Sequence, residues 1–345
     1  MLHAQIRIDY DRRIFGLLCA LNCVGYDQYY LGSPPDEMHP LRWEIRARLA
    51  GVPAEVIASF REYFCAAPPL SLTPDLFPFW PRLFLMMEYA LHLGMPPGFT
   101  AMSAAKEASF SSSWPQRATM CLEEVAPTCH WLRGLGPALA DFWQGAQIQQ
   151  LYDEFAPGIV AQAETELAQL SGQVEACLDY LDQPHCSRRI VIVPNVLQDA
   201  GTADMMELAD TTYLIAGNGR VSINSIWHEL CHVPVNAALM QHAALLVNSE
   251  PLLATVETKM QALGYWRADR PDTWRYIIED TLVRAIGARL IGGEKSAAWL
   301  QNDMEMGFRF VSLAAETLAE VRERQGQPFD EAVKVFLARL VQQAN

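Results

Sequence analysis

Basic charge is what this chain has least of. Acidic residues outnumber Lys and Arg by 40 to 26, leaving a net charge of −14. That balance argues against non-specific nucleic-acid binding and against docking on anionic membranes, and it favours solubility. Long apolar runs are missing too. Ile14–Val24 is too short to span a bilayer, and Phe77–Leu93 is interrupted by Pro81, Arg82, Glu88 and His92, so no transmembrane helix is expected. Met1–Tyr10 carries His3, Arg7 and Asp9 and no apolar run ahead of a small-residue cleavage site, so no secretory signal is expected either. The eight cysteines (Cys19, Cys23, Cys65, Cys121, Cys129, Cys177, Cys186 and Cys231) form no C-x-x-C pair and no regular framework. Their scatter disfavours a Cys-rich zinc site and points to reduced, buried thiols in a cytoplasmic protein. No internal repeat is visible.

What is present is core material. About half of the 345 residues are apolar, enough for one large domain or two ordinary ones. Helical periodicity or punctuation marks Arg12–Leu21, His39–Leu49, Pro53–Phe64 and Leu83–Leu93. Further helical patterns run over Gln116–Arg133 and Pro137–Asp182, where Pro157-Gly158 offers a break. The proline-dense Pro68–Pro81 cannot be regular throughout. Strands are expected at Ile6–Tyr10, Arg189–Val193 and Thr211–Ile215, from alternation or β-branched content. A tight turn at Gly217-Asn218-Gly219 would let Val221–Ile223 pair back. Asn224 or Ser225 then caps a helix. Asp272 caps another over Thr273–Ile291, and Lys295–Arg324 and Pro328–Val341 are also helical. The fold class is α+β and mainly helical, with a helical region over 1–136 packing on a catalytic part over 137–345, or with both in one domain.

The chemistry concentrates in Trp227-His228-Glu229-Leu230-Cys231-His232, which reads H-E-x-x-H. Residues four apart share a helix face, so His228 and His232 can present two imidazoles to one metal ion. Glu229 is rotated from His228 by about 100°, within reach of a water on that metal. Pro234 would clash with the Leu230 carbonyl, so the helix is expected to end or kink there, beyond both ligands. Cys231, between them, is expected to be a packed thiol.

A catalytic zinc site wants a third protein ligand. Glu279 falls on the flank of the apolar stripe of the 273–291 helix, where a carboxylate is costly unless paired or metal-bound. Asp280 is expected to face away, in a surface ion pair with Arg284. Glu279 is therefore preferred, Asp280 is the alternative, and Glu250 and Glu257 stand behind them.

His228-Glu229-x-x-His232, followed by Glu279-Asp-Thr-Leu-Val-Arg284-Ala285, resembles the gluzincin type of zinc metallopeptidase. The chain is more specifically similar to a mainly bacterial family of H-E-x-x-H proteins of unknown function. Asp11-Arg12-Arg13, His39-Pro40, Tyr213-Leu-Ile-Ala216 and Gly307-Phe308 add weaker likeness. The resemblance implies a thermolysin-like core with a small sheet before the motif helix, its edge strand, at Thr211–Ile215, lining the substrate cleft. It implies one Zn2+ per chain on His228, His232 and Glu279, with Glu229 as general base, although the separation of His232 from Glu279 exceeds thermolysin's.

The expected activity is hydrolysis of peptide or protein substrates, without nucleic-acid or membrane partners. Tyr276, Tyr265, His242 and Arg284 are candidate oxyanion donors, Tyr276 being closest to Glu279 along its helix. Two other classes stay open: a hydrolase of non-peptide amides or esters, and a helical interaction protein with a structural or vestigial metal site.

Overall fold

A computed structural model describes residues 5–26, 39–68, 82–104, 107, 110, 122–183, 189–198, 203–217, 223–262 and 273–344. The chain divides into two compact units. One comprises Gln5–Gln169 and Arg188–Ser222, and the other contains Leu170–Ser187 and Ile223–Asn345. Residues 136 and 137, where the sequence suggested a boundary, both lie in the first of these.

The first unit begins with β1 (Gln5–Ile8) and α1 (Arg12–Cys23). The Asp11 carboxylate caps α1 by accepting from the Arg13 and Ile14 amides at 2.8 and 3.3 Å, as an N-cap acid should. It also holds the Arg13 guanidinium, which donates to the Leu91 and Leu93 carbonyls. The helices α2 (Pro40–Leu49), α3 (Ala54–Cys65), α4 (Arg82–His92), α5 (Leu122–Leu132) and α6 (Leu135–Gly145) follow. His39 caps α2 through Nδ1 and meets Gln162 through Nε2 at 2.9 Å. Asp11-Arg-Arg and His39-Pro40 thus serve helix entry and inter-helix ties.

The long α7 (Ile148–Tyr180) runs through Pro157 without the break expected there. Three more strands then complete a mixed sheet, β2 (Arg189–Asn195), β3 (Ala203–Leu208) and β4 (Thr211–Gly217), in the order β1-β2-β4-β3. The first three in that order are parallel, and β3 closes the edge antiparallel, with Met206 opposite Tyr213. β2 is buried almost throughout, as a parallel inner strand covered on both faces should be. The sequence missed β3 because Ala-Asp-Met-Met-Glu-Leu lacks β-branched residues; pairing with β4 decides it. As a result Thr211–Ile215, expected as an edge, is an inner strand between β2 and β3.

Asp204 on β3 accepts from Gln198 at 2.5 Å, yet burial raises its carboxyl to about 6. A carboxyl raised in the folded state stabilises the fold while protonated, and that contribution is lost as pH rises from about 4 through about 6. Asp204→Asn should therefore raise stability at pH 7 by about 1–2 kcal/mol, discounted for the residue's partial solvent contact, with no gain near pH 4. Urea unfolding at both pH values checks it, and equal gains at both would exclude this cause.

The second unit carries α8 (Ile223–Gln241), α9 (Ala243–Ser249), a short 3-10 turn (Glu250–Thr255), α10 (Glu257–Ala262), α11 (Thr273–Ile291), α12 (Gly293–Met306), α13 (Val311–Thr317), a π-helical segment (Leu318–Arg324) and α14 (Phe329–Ala344). α8 starts at Ile223, so Asn224 and Ser225 lie inside its first turn rather than at its cap, and Ile223 is no strand residue. α8 also continues to Gln241 past Pro234, so of the two expectations, an end or a kink, the end does not occur. Its Trp227, Cys231, Val235 and Leu239, four apart, enter one hydrophobic core with Ile278, Leu282 and Ile286 of α11. Gly307 closes α12 at φ +122°, where an added Cβ would lie 2.9 Å from Lys259 Cβ, so only glycine fits. Asn218, Val221, Tyr265, Asp272 and most of Pro68–Pro81 lie outside the described residues. Among the described residues no single helix is long and apolar enough to cross a membrane.

Candidate metal centre

The buried stripe of α8 leaves His228, Glu229 and His232 on its less covered side, and one ligating atom from each lies within 4.8 Å of the others. The two imidazole centroids are 4.9 Å apart. Their side chains keep 30% and 27% exposure, so the cluster is open on one side, as a catalytic metal site requires.

α11 stands behind it and supplies two acids. Glu279 Oε1 lies 2.9 Å from His232 Nδ1, and Asp280 Oδ1 lies 3.3 Å from His228 Nε2. Asp280 is thus not the surface residue expected. It is 4% exposed, because α11 packs against α8, α12 and α13. Thirteen of its nineteen residues are buried, so the premise of one apolar stripe and one wet face fails. The expected ion pair is real but buried: Arg284 Nε meets Asp280 Oδ2 at 2.8 Å and its Nη1 meets Asp303 at 2.9 Å. Phe308 lies under the same guanidinium at 4.1 Å. Glu279 is held in parallel fashion. Arg275 reaches its Oε2 at 3.2 Å and Asn236 at 2.7 Å. Each acid therefore spends one oxygen on an arginine and turns the other to a histidine.

The ring nitrogens carry the electrostatics. Burial lowers His228 to about 4, with His232 and Arg284 pushing the same way and Asp280 opposing. Burial opposes the charged form of His232 as well, but its hydrogen bond to Glu279 and the surrounding carboxylates outweigh it and raise the group to about 9. Burial pushes Asp280 up, yet His228 and Arg284 hold it below the ordinary carboxylate range.

Among the described residues, His228, Glu229 and His232 form the group that could hold a metal ion. With bonds of about 2.0–2.1 Å, two ligands of a tetrahedral zinc are separated by about 3.3–3.4 Å, which matches His228 Nε2 to Asp280 Oδ1. Glu279 instead contacts Nδ1 of His232, the position of a carboxylate that orients a ligand. That leaves His232 Nε2 as its ligating nitrogen. Since a ligand must be deprotonated, metal binding has to remove the proton that His232 holds up to about pH 9. Zinc affinity should therefore be about a hundredfold weaker at pH 7 than at pH 9. Chelator-competition titrations across that window check it; a flat profile would remove His232 from the site or its proton from the resting state.

The remaining sequence candidates fare differently. Tyr276 lies under Arg275 at 4.3 Å, with its hydroxyl shielded from solvent. Arg284 is committed to Asp280 and Asp303. His242 Nε2 is buried in the second unit, and Glu250 and Glu257 sit on the exposed turn and on α10. Cys231 is fully buried and packs its thiol 3.9 Å from that of Cys177. Sequence reading missed Arg275, Asn236 and Asp303. The i−4 spacing of Arg275 from Glu279 was a usable signal, whereas Asn236 and Asp303 carried none. Comparison with family models, curated proteins and solved structures finds no match for this chain.

Proposed function

We propose that this chain is a zinc-dependent peptidase of the gluzincin kind, with a thermolysin-like pairing of motif helix and acid-bearing helix, acting in the cytoplasm. The observation that carries it is the convergence of His228, Glu229 and His232 within 4.8 Å on the open side of a helix whose other side is core. His228, His232 and Asp280 would hold the ion, with Glu279 behind His232. A divalent ion there supplies Lewis acidity, acidifying a water and polarising a carbonyl.

The protein's own part is proton transfer and orientation. Glu229 takes a proton from the attacking water onto its carboxylate and returns it to the leaving amine. Glu279, anchored by Arg275, which donates to Asn236 as well, fixes the His232 ring. Arg284, which donates to Asp303 as well, anchors Asp280.

Metal analysis of protein prepared without chelators should find about one zinc per chain. A peptide library screened beside small amides and esters should show cleavage of peptides. No zinc in either the isolated or the zinc-reconstituted protein would sink the metal reading. Zinc with turnover of small amides or esters alone would replace the peptidase by another hydrolase.

A further inference from the structure

We infer that α8 carries an apolar track leading away from Glu229, on which the substrate lays an extended apolar segment of about five residues to one side of the scissile bond. The inference rests on the peptidase reading above and adds the substrate class. At about 100° per residue, Val233, Ala237 and Met240 fall within about 80° of Glu229 around the helix, and all three are exposed. Val233 and Met240 keep 45% and 57% of their surface. The other side of α8 is spent on the core, through Trp227, Cys231, Val235 and Leu239.

Three observations define the occupant. First, composition: no Asp, Glu, Lys or Arg stands between Glu229 and Glu250, although 19% of the chain is charged. The exposed residues from Val233 to Asn248 are accordingly all uncharged, where the outer face of a helix ordinarily carries charge. Second, concentration: of the six large apolar side chains exposed among the described residues, Val233, Met240 and Val247 fall on α8 and α9. A single exposed apolar residue is ordinary, whereas a run of them on one face marks a binding surface. Third, continuity: Val233 follows His232 and lies one turn from Glu229, so the track starts at the cluster. From Glu229 to Met240 the helix rises about 16 Å, which an extended chain covers in about five residues. Such a chain turns alternate side chains to one face, so apolar residues at alternate substrate positions meet the track. A patch that begins at the base suits the substrate's own flanking residues.

Two readouts on the full chain test it with one set of short labelled peptides: fluorescence anisotropy with the zinc-free protein, and turnover by the zinc-loaded protein. Each peptide carries leucine alternating with serine in its N-terminal or its C-terminal half, or glutamine in place of those leucines. One of the two leucine peptides should bind at least about tenfold more tightly than its glutamine counterpart, and its kcat/KM should be higher by a similar factor. Met240 and Ala237 are exposed, so the fold should survive a charge at either. Met240→Glu and Ala237→Glu should each cut the leucine preference at least about threefold and shift it toward a peptide with lysine in place of leucine. A leucine preference in binding without cleavage of any peptide would keep the track and sink the peptidase reading. Cleavage of leucine and glutamine peptides alike, with equal binding, would overturn the track and leave the peptidase standing. A preference unchanged in both variants would overturn it too. So would a wild-type dimer, or adsorption to phosphatidylcholine vesicles, that Met240→Glu abolishes while peptide binding stays the same; the face would then belong to a second copy or to lipid.

Discussion

Glu229→Gln should abolish peptide hydrolysis while leaving one zinc in place. The amide matches the carboxylate in size but cannot take a proton from water, so the loss should reach about 10²–10⁴-fold in kcat, the usual weight of general acid–base catalysis. Zinc content should not change, because the imidazoles of His228 and His232 and the acid on α11 are untouched. Measuring zinc and turnover on the same preparation gives the test its force. A variant that loses zinc would make Glu229 a ligand, which its place within 4.8 Å of both histidine donors permits geometrically. A variant that keeps both zinc and turnover would leave the motif without a base, and the peptidase reading would fall.

The second large effect separates the adjacent acids of α11. Glu279→Gln should weaken zinc by about 10–100-fold, the cost of losing a carboxylate that orients a histidine ligand. Asp280→Asn should exceed that range, because it removes an anionic ligand rather than a support. Asparagine keeps the shape and leaves Arg284 its second partner, Asp303, so the fold should survive; breaking a buried pair outright costs about 3–5 kcal/mol. Zinc affinities of the two variants, measured with their thermal unfolding, decide the matter. If Glu279→Gln proves the more damaging, the third-ligand role returns to Glu279.

These two residues also show where sequence reading stopped. Both acids and both histidines were legible, because H-E-x-x-H spacing and a carboxylate on an apolar flank are local signals. The direction of Asp280 was not, since a helical wheel assumes one wet face and α11 has none. Neither of two helix-interior prolines ends its helix. Pro157 and Pro234 each sit inside a continuing helix, where packing on neighbouring elements offsets the lost hydrogen bond that an isolated helix could not spare. The strand at Ala203–Leu208 escaped notice because its partner, not its composition, makes it a strand.

The sequence by itself determined the mainly helical α+β class, the motif helix with its two imidazoles and the carboxylate of Glu229, and the helix from Thr273 to Ile291 with its paired acids. These follow from spacing, capping and side-chain type within a few turns of chain. Only the tertiary structure decided that Thr211–Gly217 is an inner strand, that Asp280 is buried against His228, that Arg275, bonded to Asn236 as well, holds Glu279 in place, and that Arg284 meets Asp303 besides Asp280. Each of those depends on which elements lie side by side, and burial and pairing between distant segments leave no period in the chain to be read.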